Sequence, residues 1–205
     1  MLMKKIKTNL INLKHRAPVL ELISMLKEHS KETYVHSVDV AEKSFALANA
    51  LGIRGEYLER LYTASLLHDI GKICVPQELL HKNDATEEEA DMIRVIHING
   101  TREILEGYFE EELVNLASHH HERLNCSGYP SHLNATKLNM LDRILQVADV
   151  TSALEMSRSY KEAYPTEVVI KILEDLVHRG ELDKRCVKEI EKIFLKPLKE
   201  KSQMS

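Results

Sequence analysis

The stretch Ala64-Ser-Leu-Leu-His-Asp-Ile-Gly-Lys72 constrains this chain more than any other. Leu58, Leu61, Tyr62 and Ser65 mark the inward stripe of a helix over 56–70, and His68 and Asp69 continue it. Gly71 is a natural stop just beyond. An imidazole, a carboxylate and the Lys72 ammonium are thereby aimed at one place on the inner side of a helix end. Such groups are costly to bury unless they are paired or bind a metal.

The composition sets a helical frame around that stretch. Hydrophobic residues make up 43% and charged residues 29%, with only 7 Gly and 5 Pro, which favours an all-α fold. The 205 residues suit one domain. A net charge of −4 gives no basic footprint for a nucleic-acid duplex, although a small anionic ligand needs only a local positive pocket. Cys74, Cys126 and Cys186 are odd in number and widely spaced, so neither a disulfide framework nor a zinc pattern follows, and a reducing cytoplasm is expected. The basic start is followed by Asn9, Asn12, Lys14, His15 and Arg16, which break up any signal-like apolar run. No segment approaches the ~20 apolar residues of a membrane span.

About seven to nine helices are expected. Residues 1–16 read as a frayed or loosely packed lead-in, and Pro18 suits the first turn of a helix to about Glu28. A helix from Ser30 to Leu51 carries His36, Val40, Leu47 and Leu51 on one stripe, with Glu32 one turn before His36. Taken alone, His36 is better explained as an edge histidine bonded to that carboxylate than as a ligand. Pro76 opens a short helical piece. Thr86 and Glu89 form a capping box for a helix on which Ala90, Ile93 and His97 share a face, and Asn99-Gly100 reads as a break before helix resumes to about Tyr108. From Glu111, a stripe of Leu113, Leu116, Ala117, His120 and His121 faces inward, with His119 outward. Residues 122–136 read as a loop of unusual length, a type often functional. A helix over 138–156 buries Leu141, Ile144, Leu145, Ala148 and Asp149. Two further helices, Thr166–Arg179 and one capped by Asp183 and ending at Pro197, carry core without obvious chemistry.

The inward polar set is then His36, His68, Asp69, His97, His120, His121 and Asp149, from five helices, with Glu32 as an outlying member. Five histidines and two carboxylates exceed what one ion uses and suit two. Nitrogen and oxygen donors without thiolate point to Fe, Mn, Zn, Co or Ni. Asp69 is able to bridge two ions, whereas a neutral imidazole is not. Two metals about 3.5–4 Å apart would hold a bridging hydroxide and clamp a phosphoryl group for in-line attack. Lys72 would neutralise a phosphate oxygen or the leaving group; equally, it fits a surface lysine favoured by a helix C-terminus.

Three motifs in this order, His68-Asp-Ile-Gly-Lys72, His120-His-Glu-Arg123 and Ser127-Gly-Tyr-Pro130, resemble the HD-GYP family. That family is the metal-dependent branch of the HD superfamily, which hydrolyses cyclic di-GMP. The resemblance spans about residues 30–195 and extends to Arg143–Asp149 and Arg158–Lys161. It implies an all-α HD-superfamily bundle around a buried metal centre, with a lead-in and first helix over 1–29, the HD-GYP-like domain over 30–197 and a tail over 198–205. That lead-in is too short for the sensor or receiver that many members carry. The family's metal ligands fall on the same seven residues, its lysine on Lys72, and the glutamate that some members add for a third ion on Glu32. Arg158 and Lys161 match residues that contact substrate phosphates, and Tyr129 matches the loop beside the substrate groove, a loop also implicated in protein contacts. The resemblance implies a cytoplasmic, iron- or manganese-dependent phosphodiesterase opening cyclic di-GMP to pGpG and, on further cleavage, GMP.

The chain departs from the family at several points. Ser152 stands where an Asp is usual, Ile98 where a Pro is common, and Thr101 where a Gly is usual, with Gly100 one place early. Leu124-Asn-Cys126 replaces Trp-Asp-Gly, and Leu182-Asp-Lys184 replaces Phe-Asp-Pro. These bear on the base-binding groove and on turnover. They leave two alternatives: a module that binds a cyclic dinucleotide or a protein partner with little turnover, and an HD phosphohydrolase acting on another nucleotide.

Overall fold

Four short polar signals start the helices that build the core. The computed structural model describes residues 7–82, 84–156 and 163–195. Ser30 caps α2 (Lys31–Ala50) by accepting from the Thr33 N–H at 3.2 Å. Thr86 and Glu89 form the expected reciprocal box at the start of α5 (Glu87–Glu106), and Asn139 and Asp142 form another at α7 (Met140–Glu155). Asp183 accepts from the Arg185 and Cys186 N–H groups ahead of α9 (Lys184–Ile190). With α1 (Arg16–His29), α3 (Gly55–Leu67), α4 (Gln77–Leu80), α6 (Glu111–Ser118) and α8 (Thr166–His178), nine α-helices are present among the described residues. The all-α class is thus as expected.

The bundle is arranged about α2, which packs on α1, α3, α7 and α9. Its burial on several sides explains why Tyr34, Val40, Ala41, Leu47 and Ala48 are all fully enclosed. Leu58, Leu61 and Tyr62 of α3 and Leu141, Ile144, Leu145 and Ala148 of α7 complete the apolar wall. Enclosing a large aliphatic or aromatic side chain contributes about 1.5–3 kcal/mol each, so this wall fixes the helices firmly. No helix among the described residues is long and apolar enough to cross a membrane.

The observed elements differ from the periodicity reading in five places. Helix α3 stops at Leu67, one residue before His68, and a 3₁₀ turn Ile70–Cys74 follows. Gly71 lies inside that turn rather than in a left-handed stop. Helix α5 runs straight through Asn99-Gly100. Helix α6 ends at Ser118, so His119–His121 occupy a turn and not a helical stripe. His119 is half-buried, with its Nδ1 3.0 Å from Asp142 Oδ1, instead of facing solvent. Residues 7–15, though mostly exposed, are anchored rather than frayed: Ile11 is 1% exposed, and the Lys7 N–H donates to the Tyr62 hydroxyl at 2.8 Å.

Both glycines owe their place to one close contact. The 3₁₀ turn lies directly on α5. A Cβ on Gly71 would sit 2.0 Å from the His97 carbonyl oxygen and 2.2 Å from the Thr101 nitrogen, both backbone atoms that cannot swing away. On the other side, a Cβ on Gly100 would meet Gly71 at 3.2 Å. Thr101 finishes the joint. Its hydroxyl donates to the His68 carbonyl at 3.0 Å and accepts from the Gly71 N–H at 3.0 Å. Gly71→Ala is therefore expected to destabilise the fold by about 3 kcal/mol through overpacking, a drop of roughly 10 °C in Tm. Thermal unfolding followed by circular dichroism measures it, and an unchanged Tm would show that the contact is not tight.

Candidate metal centre

Three histidines are anchored through one ring nitrogen and present the other. His68 Nδ1 is 2.8 Å from the Ser65 carbonyl, His97 Nδ1 3.0 Å from the Ile93 carbonyl and His120 Nδ1 2.7 Å from the Ala117 carbonyl. A carbonyl only accepts, so each Nδ1 carries the proton and donates, which leaves the lone pair on Nε2. All three Nε2 atoms are buried without a hydrogen-bond partner. An orphaned buried polar atom costs about 1–3 kcal/mol, and three converging ones call for a ligand. His36 is held differently: Nδ1 lies 3.0 Å from Ser152 Oγ and Nε2 2.9 Å from Asp149 Oδ1.

The orphans converge on Asp69, which is 1% exposed. Its Oδ2 lies 3.5 Å from His68 Nε2 and 3.8 Å from His36 Nε2. Its Oδ1 lies 3.9 Å from His97 Nε2 and 3.8 Å from His120 Nε2. These separations are too long for hydrogen bonds and match neighbouring ligands around a shared ion. The two oxygens thus face two different histidine sets. Two groups have their donor atoms within 4.8 Å of one another: His36, His68 and Asp69 in one, and His97, His120 and His121 in the other. Asp149 Oδ1, 3.7 Å from His68 Nε2, borders the first. The seven residues read from the inward stripes therefore meet at one place, although two of the five elements that present them are turns.

The electrostatics favour a donor set with free lone pairs. Burial pushes His36 and His120 below the ordinary imidazole range, His97 to about 4 and His121 to about 3. Burial opposes the ionised form of Asp69, yet Lys72, His68 and His36 outweigh it and hold the carboxyl well below its usual value. Asp149 is held down in the same way, by the hydrogen bond from His36 and by the nearby charge of His68. His68 moves the other way: burial pulls it down, but Asp69 and Asp149 prevail and raise it. Nitrogen and carboxylate donors without thiolate fit a hard to borderline divalent ion such as Fe, Mn or Zn, and the orphaned Nε2 atoms fit one sterically.

The remaining expected site residues fall at the edge or outside. Lys72 Nζ is 2.6 Å from Asp69 Oδ2 and lines a cavity of about 140 Å³ with Glu32, Thr33, His36 and His81. Glu32 belongs to neither donor triad. Arg158 and Lys161 lie outside the described residues. Tyr129 is half-buried and stacks on His121, with ring centroids 4.7 Å apart and planes at 28°. A larger groove of about 800 Å³ between α8 and α9 is lined by Glu174, His178, Lys188 and neighbours, none of which belongs to the centre.

Three supporting residues escaped the sequence reading. Thr101 and Ser152 were visible only as departures from a family pattern, yet one braces the His68 turn and the other anchors His36. Glu122, next to His121, is fully buried and accepts from the Ser131 N–H at 2.7 Å and the Leu133 N–H at 2.9 Å. Its identity within His120-His-Glu-Arg123 gave no sign of this clamp, because the two donors come from a loop about ten positions away.

With this geometry in view, the family model for the HD domain matches residues 19–186. The chain belongs to the HD domain family. This HD domain is 35% identical over 163 residues to the 3'3'-cGAMP-specific phosphodiesterase 1 of Vibrio cholerae, covering 79% of this chain and 38% of that protein. It is 35% identical over 161 residues to a cyclic di-GMP phosphodiesterase of Pseudomonas aeruginosa, covering 78% of this chain and 39% of that one. The chain thus spans about two fifths of the length of these curated relatives. Among solved structures, an HDG"Y"P protein of Bdellovibrio bacteriovorus superposes with a TM-score of 0.64 at 23% identity, over 77% of this chain and 51% of that one, a likeness of fold.

The Glu122 clamp can be tested by itself. Glu122→Gln presents an NH₂ group to two backbone donors and leaves at least one of them unsatisfied. A loss of about 2 kcal/mol is expected, read as a lower urea midpoint with an unchanged m-value. An unaltered midpoint would show that the loop does not depend on this carboxylate.

Proposed function

We propose that this chain is a metal-dependent phosphodiesterase that hydrolyses cyclic dinucleotides, opening cyclic di-GMP to pGpG and, on a second cut, to GMP. The observation that carries this reading is the convergence of three partnerless Nε2 atoms on a carboxylate whose two oxygens face separate histidine sets. His36, His68, Asp69 and Asp149 would hold one ion and His97, His120 and His121 the other, with Asp69 offering an oxygen to each. Iron or manganese suits these donors. When bound, such a pair activates water for attack on phosphorus and neutralises charge on the phosphoryl oxygens.

The chain's own residues supply the rest. The carbonyl bonds to His68, His97 and His120 fix the tautomers, so the lone pairs are presented without reorganisation. Lys72 is the group on the cavity side of the centre that carries a positive charge. In the transition state it would leave Asp69 to the metals and turn its ammonium to a phosphate oxygen. Glu32, on the same cavity, is the residue for a third ion, and Arg158 and Lys161 follow α7 in the chain as candidates for phosphate contacts. Tyr129 belongs to the loop that would border the substrate. A cytoplasmic setting, where cyclic dinucleotide signals act, agrees with this role.

The equal identity to a cyclic di-GMP enzyme and a 3'3'-cGAMP enzyme supports the cyclic-dinucleotide class more strongly than either substrate. The decisive assay incubates purified chain, loaded anaerobically with Fe(II) or Mn(II), with cyclic di-GMP and 3'3'-cGAMP in parallel and separates the products. Linear dinucleotide from either substrate supports the reading. No product from both, with metal bound, would leave a binding module or another phosphoester as the answer. In the active preparation, Lys72→Ala should retain its metal and lose about 10²–10³-fold in kcat. Normal turnover would remove Lys72 from the chemistry.

A further inference from the structure

His121 differs from the other four histidines of the centre in how it is held. Each of the others has its Nδ1 fixed by a carbonyl or by Ser152. None of the described residues hydrogen-bonds to either ring nitrogen of His121. Its imidazole is instead packed among rings. Tyr129 stacks on it at 4.7 Å with planes at 28°, His97 meets it edge-on at 5.1 Å and 84°, and the adjacent His120 ring lies at 4.1 Å, tilted by 45°.

The loop that carries Tyr129 is built to deliver that ring. The Tyr129 N–H donates to the His121 carbonyl at 3.2 Å, so the two residues are tied through the backbone as well. One residue earlier, Gly128 lies so close to the preceding turn that a Cβ would meet the Arg123 nitrogen at 2.3 Å and Glu122 Cα at 2.4 Å. Any side chain there would lift the loop and the tyrosine away from the histidine. Beyond the tyrosine, Glu122 draws in the Ser131 and Leu133 N–H groups. Close approach before Tyr129 and anchoring after it hold the loop where the ring rests on the face of His121.

We infer that Tyr129 is a positioning residue for the second metal site: its ring, rather than a hydrogen bond, orients His121 so that its lone pair joins those of His97 and His120. This rests on the proposed reading of the centre as a two-ion site. It also assigns Tyr129 a role on the metal side of the loop, in place of a contact to substrate. The operative property is the flat aromatic face. Burial holds the phenol in its neutral form, and its hydroxyl makes no bond to His121.

The test uses the full chain and the metal alone. Tyr129→Leu keeps an apolar side chain of similar bulk but no planar face, and Tyr129→Phe keeps the face without the hydroxyl. Each apo protein is titrated anaerobically with Mn(II), with bound ions counted after equilibration and Tm measured without metal. Wild type and Tyr129→Phe should bind two ions per chain, one more weakly than the other. Tyr129→Leu should show the weaker class loosened by about 10–100-fold, with the tighter class unchanged and the apo Tm close to wild type. Equal affinities in Tyr129→Leu and wild type would overturn the inference, as would a loss in Tyr129→Phe matching that in Tyr129→Leu. Wild type binding no ion would overturn instead the two-ion reading beneath it, so the two failures are distinguishable. Should Tyr129→Leu fold poorly, the Co(II) absorption spectrum of Tyr129→Phe decides: a spectrum identical to wild type supports the stack, and an altered one contradicts it.

Discussion

Asp69 is an ionised carboxylate with almost no exposure, and removing such a charge from water costs several kcal/mol unless other groups compensate it. Within the protein the compensation comes from Lys72 at 2.6 Å and from histidine edges at 3.5–3.9 Å on both oxygens. The Lys72 contact is a good ion pair; the histidine contacts are too long to be hydrogen bonds. The site therefore holds more negative charge and more free lone pairs than its own donors satisfy. The proposed pair of divalent cations would resolve both excesses at once. The surrounding joints serve to keep that unfavourable arrangement in place: Thr101 braces the turn that carries Asp69, Gly71 and Gly100 let that turn lie on α5, and Ser152 anchors His36.

Much of this was legible in the sequence because burial leaves a periodic trace. His36 on α2 and Asp149 on α7 lie on true helical stripes, and the 3.6-residue period identifies them correctly. His68, Asp69, His120 and His121 were found for a weaker reason. They follow the ends of α3 and α6, where helical period no longer applies, and adjacent residues in a tight turn reach the same site. His119 shows the limit of that reading, since the turn folds it back on Asp142. Gly71 and Gly100 were read as breaks because a glycine that permits close backbone approach looks, in sequence, like one that ends a helix. The clamp at Glu122 and the stack of Tyr129 on His121 depend on contacts between separate segments, which no local pattern reports.

The departures from the family pattern take on physical content in the same way. A hydroxyl at Ser152 still fixes the His36 ring, though as a neutral partner where a carboxylate is usual. That makes His36 a less electron-rich donor. Thr101 replaces a glycine and uses its side chain as the brace of the His68 turn. Both changes fall on groups that hold the candidate donors, and all seven donor residues are present. Under the proposed function, ion affinity and turnover are the properties that these two positions would tune.

The central claim is that Asp69 divides its two oxygens between two ions. Anomalous diffraction from crystals of the Mn(II)-loaded protein tests it most directly. The account predicts two manganese peaks, one within the His36–His68 set and one within the His97–His120–His121 set, each bonded to a different oxygen of Asp69. A single peak, or two peaks with both Asp69 oxygens on one ion, would contradict it.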